Sequence, residues 1–238
     1  KGCPLRCKWC HNPETQSLEK QFLFLPLRCI GCGACMAVCA PKAHVFDGSK
    51  HWIDRKKCIG CMSCVGVCPA GALEQVGRDM TEEEILKEVE KDRVFFGEKG
   101  GLTLSGGEPM IHGAEAVLLL ERAKERGLNT AIETCGFFDS SYIEGLAQAT
   151  DLFLWDFKDA DPARHETYTG VSNERILKNL FLLDRYPVRI ELRCIMVKGV
   201  NMDPAEINRI IETAAALKHL TKVTLLPYHP YGVSKGEQ

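Results

Sequence analysis

The chain has 238 residues, enough for one substantial core and a small appendage, with a composition ordinary for a globular protein. Its formal net charge of −2 is uninformative, and the distribution of charge gives no support to a nucleic-acid surface. No apolar run approaches the ~18 residues of a membrane helix, and Lys1-Gly2-Cys3 is an abrupt opening, read as other than the native start.

Thirteen cysteines set the chain apart, and eleven fall within residues 1–68. Secreted disulfide scaffolds are usually below ~100 residues with cysteine throughout. Here residues 69–238 hold only Cys135 and Cys194, both expected by default to be small buried hydrophobes, with a ligand or redox role as the alternative for Cys135. The pattern suits a reducing, anoxic cytosol, so a cytoplasmic location is expected. Charge is uneven: residues 1–68 carry ten Lys/Arg against four Asp/Glu, and the remainder twenty against twenty-eight. The basic excess coincides with the cysteines, as compensation for thiolates or as a plain solvated face.

The first array, Cys3, Cys7 and Cys10, is spaced C-x3-C-x2-C. Three thiolates hold three corners of a [4Fe–4S] cube and leave one iron open to a ligand. His11 adjoins Cys10 and is read as a loop residue. Next comes an internal repeat: Arg28–Cys39 matches Lys57–Cys68 at an offset of 29. Each half reads C-x2-C-x2-C-x3-C, the run of two-cluster bacterial ferredoxins, in which the fourth cysteine serves the other cluster. That assigns Cys29, Cys32, Cys35 and Cys68 to one cluster, and Cys58, Cys61, Cys64 and Cys39 to a second. Zinc sites usually pair two cysteines per knuckle, which fits less well. Pro69 follows the second run directly, whereas Ala40 intervenes before Pro41 in the first. The module is placed at 21–76, dividing a larger domain of 1–20 and 77–238.

Beyond it, helix and strand signals alternate. Thr81-Glu-Glu-Glu84 is a capping box opening a helix to about Arg93. Strands are expected at 101–104, 129–133, 152–156, 188–197 and 222–226. Helices are expected at 112–126, 140–148, 172–185 and 203–218, the last with Pro204 in its first turn. Five strands alternating with helices argue a parallel sheet; periodicity does not say whether it curls into a barrel. Polar residues recur where these strands end: Ser105-Gly-Gly-Glu-Pro109, Glu133-Thr134, Asp156-Phe157-Lys158, Arg193 within the fourth strand, and Tyr228-His229. Sites in such folds gather at the C-terminal ends of parallel strands.

Gly2-Cys-Pro-Leu-Arg-Cys-Lys-Trp-Cys-His-Asn-Pro-Glu14 resembles the signature of radical S-adenosylmethionine (SAM) enzymes. With the insert and the strand-end motifs, the whole chain resembles the activating enzymes of glycyl radical enzymes, the pyruvate formate-lyase-activating-enzyme-like family. That resemblance implies an α/β fold: a partial (β/α)6 barrel lacking its first strand, with a small α+β ferredoxin-like insert. It implies three [4Fe–4S] clusters, SAM and a monovalent cation. It also implies a monomer, reduced by flavodoxin or ferredoxin, that takes a glycine Cα hydrogen from a partner enzyme. Gly106 and Gly107 would let carbonyls reach the SAM ammonium, with Glu108 supporting charge there. Lys158 and Arg193 would meet the SAM carboxylate, or pair ordinarily with Asp156 or Glu191. Glu133 and Asp156 would fix Lys158, contact the ribose, or bind the cation with Thr134. His229 would lie near the adenosine, and Trp9 would pack on the adenine or shield the cluster. Two rivals remain: an electron-transfer subunit, which has no use for an open iron, and a radical SAM enzyme acting directly on a small molecule, peptide or RNA.

Overall fold

The computed structural model describes residues 1–48 and 50–230. After the cysteine loop, a small α+β unit contains β1 (Gln21–Phe24), α1 (Ala34–Ala37), β2 (His44–Asp47), β3 (Lys50–Ile53), α2 (Ser63–Gly66) and β4 (Leu73–Val76). Every element of its second half lies 29 residues after its counterpart. The halves interlock: β1 pairs with β4 and β2 with β3, both antiparallel.

Then follow α3 (Glu82–Glu90), β5 (Gly101–Leu104), α4 (Ala114–Glu125), β6 (Asn129–Thr134), α5 (Ile143–Ala149) and β7 (Leu152–Phe157). The rest is α6 (Pro162–Thr169), α7 (Glu174–Leu183), β8 (Ile190–Met196), α8 (Pro204–Ala216) and β9 (Leu220–Pro227). The capping box closes as expected: the Glu84 amide donates to the Thr81 hydroxyl, and the Thr81 amide donates to the Glu84 carboxylate at 2.7 Å. Strands β5 to β9 form one parallel sheet in sequential order, the α/β arrangement of a partial barrel.

Strand periodicity separates two faces. Ile132, Phe153, Trp155, Ile190 and Leu192 are fully buried in a cluster shared with Leu120, Leu146 and Leu180 of the helices. The alternate positions, Glu133, Asp156 and Arg193, are only partly buried. Each expected strand is present within two residues. One helix was not anticipated: α6, between the third strand and α7. Asp161 caps it by accepting from the Arg164 amide at 2.9 Å, Pro162 occupies its first turn, and Gly170 ends it at φ 85°. Among the described residues, no helix is long and apolar enough to cross a membrane.

Candidate active site

The loop carrying Cys3, Cys7 and Cys10 is held by backbone hydrogen bonds from three directions. Its own return segment accepts from Gly2 N–H through Thr15 O (2.7 Å) and from Cys3 N–H through Gln16 O (3.0 Å). The unanticipated α6 supplies carbonyls at its end: Arg6 N–H donates to Thr169 O (2.6 Å) and Lys8 N–H to Tyr168 O (2.9 Å). Finally, Glu108 N–H donates to Gly2 O at 2.7 Å, tying the loop to the turn after β5.

That last contact separates the jobs of the two glycines. Gly106 has φ 126°, left-handed backbone that side chains rarely adopt, and open space around it. Gly107 is needed for proximity: a Cβ there would lie 2.2 Å from the Gly2 carbonyl oxygen.

Above the loop lies a cleft of about 390 Å³, within the ~300–1,000 Å³ usual for small-molecule sites. The three cysteines, Trp9, Gly106, Gly107, Glu133, Asp156, Lys158, Arg193 and His229 all line it. So do Leu5, His11, Ile195 and Tyr228. Four charges run across it as a neutral chain. Arg193 Nη1 lies 2.7 Å from Glu133 Oε1, Arg193 Nε 3.9 Å from Asp156 Oδ1, and Lys158 Nζ 2.7 Å from Asp156 Oδ2. Both cations thus have partners within the cleft, while Glu191 pairs with Lys222 at 3.8 Å. Burial works against the Lys158 ammonium, yet Asp156 and Cys7 beside it hold its pKa above the ordinary lysine value. Burial pushes the Cys7 thiol to about 11, with Lys158 the chief opposing influence. Hydrogen bonding with Cys135 draws the Cys3 thiol below the ordinary range.

Glu108 and Thr134 face elsewhere, outside the cleft lining. Glu108 is 2 % exposed and turned into the core. Its carboxylate accepts from the Cys135 amide (2.7 Å), the Thr134 hydroxyl (2.8 Å) and the Met110 amide (3.1 Å). Burial pushes its pKa up against these donors. Thr134 spends its hydroxyl on Glu108 and on the Gly136 amide. Both therefore brace the strand ends from below.

His11 is more than a loop residue. Its ring stacks on His229 with centroids 4.4 Å apart, and its Nε2 lies 2.8 Å from His229 O. Adjacency to Cys10 concealed this, because the partner is 218 residues away. Trp9 is 8 % exposed and packs against Tyr168 at the end of α6, with centroids 5.7 Å apart. Cys194 is buried on the helix side of the sheet, as expected of a small hydrophobe. Cys135 is equally buried but lines the cleft.

In the small unit the cysteines sort into two hollows. Cys29, Cys32 and Cys35 share one with Cys68, and Cys58, Cys61 and Cys64 share the other with Cys39. The halves match closely. The residues before α1 and α2, Gly33 and Met62, are left-handed at φ 74° and 62°. Amides of Ala43 and Ala72 donate to the sulfurs of Cys39 and Cys68, each at 3.2 Å. No cysteine is in a disulfide. Thiol sets with amide donors on their sulfurs suit iron–sulfur ligation.

The Radical SAM superfamily model matches residues 1–214. The choline trimethylamine-lyase activating enzyme of Oleidesulfovibrio alaskensis is 42% identical over 245 residues, covering 100% of this chain and 79% of the relative. The trans-4-hydroxy-L-proline dehydratase activating enzyme of Clostridioides difficile is 43% identical over 239 residues, covering 99% and 79%. A solved domain of pyruvate-formate lyase-activating enzyme from Bacteroides vulgatus superposes with a TM-score of 0.51 at 31% identity, covering 55% of this chain and 81% of that one. The family implies a [4Fe–4S] cluster and SAM. The chain belongs to the radical SAM superfamily and, within it, to the activating enzymes of glycyl radical enzymes.

Proposed function

We propose that Cys3, Cys7 and Cys10 hold the SAM-binding cluster and that the cleft above them holds SAM. When bound, the cluster supplies one electron that splits the sulfonium carbon–sulfur bond, giving methionine and a 5′-deoxyadenosyl radical. The radical takes one hydrogen atom from a glycine Cα of a partner enzyme, giving 5′-deoxyadenosine and a glycyl radical. The carrying observation is that one cleft joins the three-cysteine loop to charged residues carried by three successive strands.

The residues divide this work. Arg193 and Lys158 present positive charge to the SAM carboxylate, while Glu133 and Asp156 orient them and reach the ribose. Gly106 and the close-packed Gly107 bring backbone to the ammonium. Glu108 and Thr134 position that turn from beneath, so a monovalent cation would draw on Glu133 and Asp156 rather than the Thr134 hydroxyl. His229, His11 and Trp9 flank the adenosine side. The cleft excludes water and fixes distance, which lowers the barrier by preorganisation.

Residues 21–76 act as a unit holding two auxiliary [4Fe–4S] clusters with crossed ligands, passing electrons from a flavodoxin or ferredoxin. The two relatives named above serve a lyase and a dehydratase at near-equal identity. Overall likeness therefore favours neither as the partner's chemistry.

The test is anaerobic incubation of reduced protein with SAM, with and without a glycine-loop peptide. The reading expects 5′-deoxyadenosine in both and a glycyl radical by electron paramagnetic resonance (EPR) only with peptide. A pure electron carrier would release no 5′-deoxyadenosine, and an enzyme of small molecules would ignore the peptide. Cys61→Ala tests the relay, which is wrong if glycyl-radical formation keeps full speed.

A further inference from the structure

The halves of the small unit repeat position by position, which makes two chemical mismatches between them informative. His51 stands where the other half has Phe22, and His44 stands where the other half has Leu73. His51 Nδ1 lies 3.3 Å from Cys29 Sγ, and its Nε2 lies 3.9 Å from Cys35 Sγ. The ring is clamped by Phe46, stacked at 4.2 Å, and by the edge of Phe24 at 4.5 Å. His44, 4 % exposed, brings its Nδ1 to 3.0 Å from His51 Nε2. The opposite hollow presents the phenyl ring of Phe22 in place of the imidazole of His51; His44 also lines that hollow, but its Nδ1 is turned to His51.

Resting on the auxiliary-cluster reading, we infer that His51 donates an N–H hydrogen bond to the Cys29 sulfur and sets that cluster at a higher reduction potential than its twin. A cluster-bound thiolate only accepts, so the facing nitrogen, Nδ1, carries the proton. Nε2 of His51 is then an acceptor, and the Nδ1–H of His44 supplies its donor. His44 is thus a positioning residue that holds the tautomer and ring angle of His51, as outer partners do for metal-bound histidines. Reduction adds negative charge to the cluster, and a donor aimed at its sulfur stabilises that charge. Hydrogen bonds to sulfur are among the determinants of cluster potential. The amide donors at Cys39 and Cys68 are matched between the halves and cancel; the imidazole does not. An electron entering the pair therefore settles on the Cys29/Cys32/Cys35/Cys68 centre.

The ligand atoms of Cys35, His44 and His51 all lie within 4.8 Å of one another, so a single metal ion is the competing occupant. It would withdraw Cys35 from the cubane. Iron, sulfide and zinc analysis of the anaerobically reconstituted holoenzyme comes first. Fewer than three cubanes, or zinc in place of one, overturns the auxiliary-cluster reading and this inference with it. Given three cubanes, EPR-monitored potentiometry is run on the parent, His51→Phe and His44→Leu. The expected result is two separated auxiliary potentials in the parent, the upper falling toward the lower in His51→Phe and part-way in His44→Leu. The SAM-binding cluster stays put. A merely structural histidine would change melting temperature and leave potentials alone. Unmoved potentials at full iron content overturn the inference while leaving the cluster reading intact. Should His51→Phe lose its cluster, Phe22→His decides: it retains every ligand, and the lower potential must rise or the inference fails.

Discussion

Beneath the parallel sheet, Phe153, Trp155, Ile190 and Leu192 are fully buried and packed by helices. In the small unit the buried cluster is Phe22, Phe24, Ala72 and Leu73 together with Cys35 and Cys64, which are proposed ligands. One region is held by apolar burial and carries its chemistry on the opposite face. The other counts its chemistry as part of its core. A unit this small buries too little apolar surface to stand without help, and the metal proposed for it would supply that help by binding only the folded state. Shutting off metal should therefore silence the first region and dismantle the second.

The largest effect separates the regions by function. Cys7→Ala should abolish SAM cleavage, read as loss of 5′-deoxyadenosine, while the spectroscopic signal of the insert clusters remains. If that signal vanished too, the regions would not be independent. Iron removal separates them by stability. Amides of β1 to β4 should lose hydrogen-exchange protection while those of β6 to β8 retain it. Protection surviving in the insert would show that its apolar core suffices. Gly107→Ala sharpens the link between cluster loop and sheet, because its Cβ would meet Gly2 O at 2.2 Å. A displacement of ~1 Å at reacting groups costs on the order of 100-fold in rate. SAM turnover should fall accordingly with the iron content unchanged.

The smallest effect tests the sheet alone. Asp151 accepts from the Thr130 amide at 2.8 Å and pairs with Lys124 at 2.9 Å. Burial works against its charge, but those partners win and its pKa is depressed. A depressed carboxyl adds stability above its unfolded pKa and loses it as pH falls through the folded value. Asp151→Asn should cost ~1 kcal/mol at neutral pH, and the gap in melting temperature should close in acid.

Much was legible because it is local. Ligand spacing is a property of neighbouring residues, so the three cysteine arrays and the 29-residue repeat stood out. Alternation and caps placed five strands, and strand ends pointed to Glu133, Asp156, Lys158 and Arg193. Helix α6 was also legible: Asp161-Pro162 at its start and Gly170 after its end are ordinary boundary signals. That helix is the platform that holds the cluster loop.

Other features had no local signature. Glu108 follows two flexible glycines, and nothing nearby says whether its carboxylate faces ligand or core. The amide of Cys135 and the hydroxyl of Thr134, 27 and 26 residues on, decide that it faces the core. His11 meets His229 only because β9 returns to the mouth of the cleft. His44 and His51 lie seven apart in unremarkable text, and antiparallel pairing of β2 with β3 brings them together and His51 to the Cys29 sulfur. Periodicity and spacing thus determined the cysteine arrays and the succession of strands and helices along the chain, because each depends on residues within one turn or one strand. Tertiary packing decided which carboxylate opens to the cleft, which helix carries the loop and which cysteine sulfur the His51 imidazole reaches, because those depend on atoms far apart along the chain.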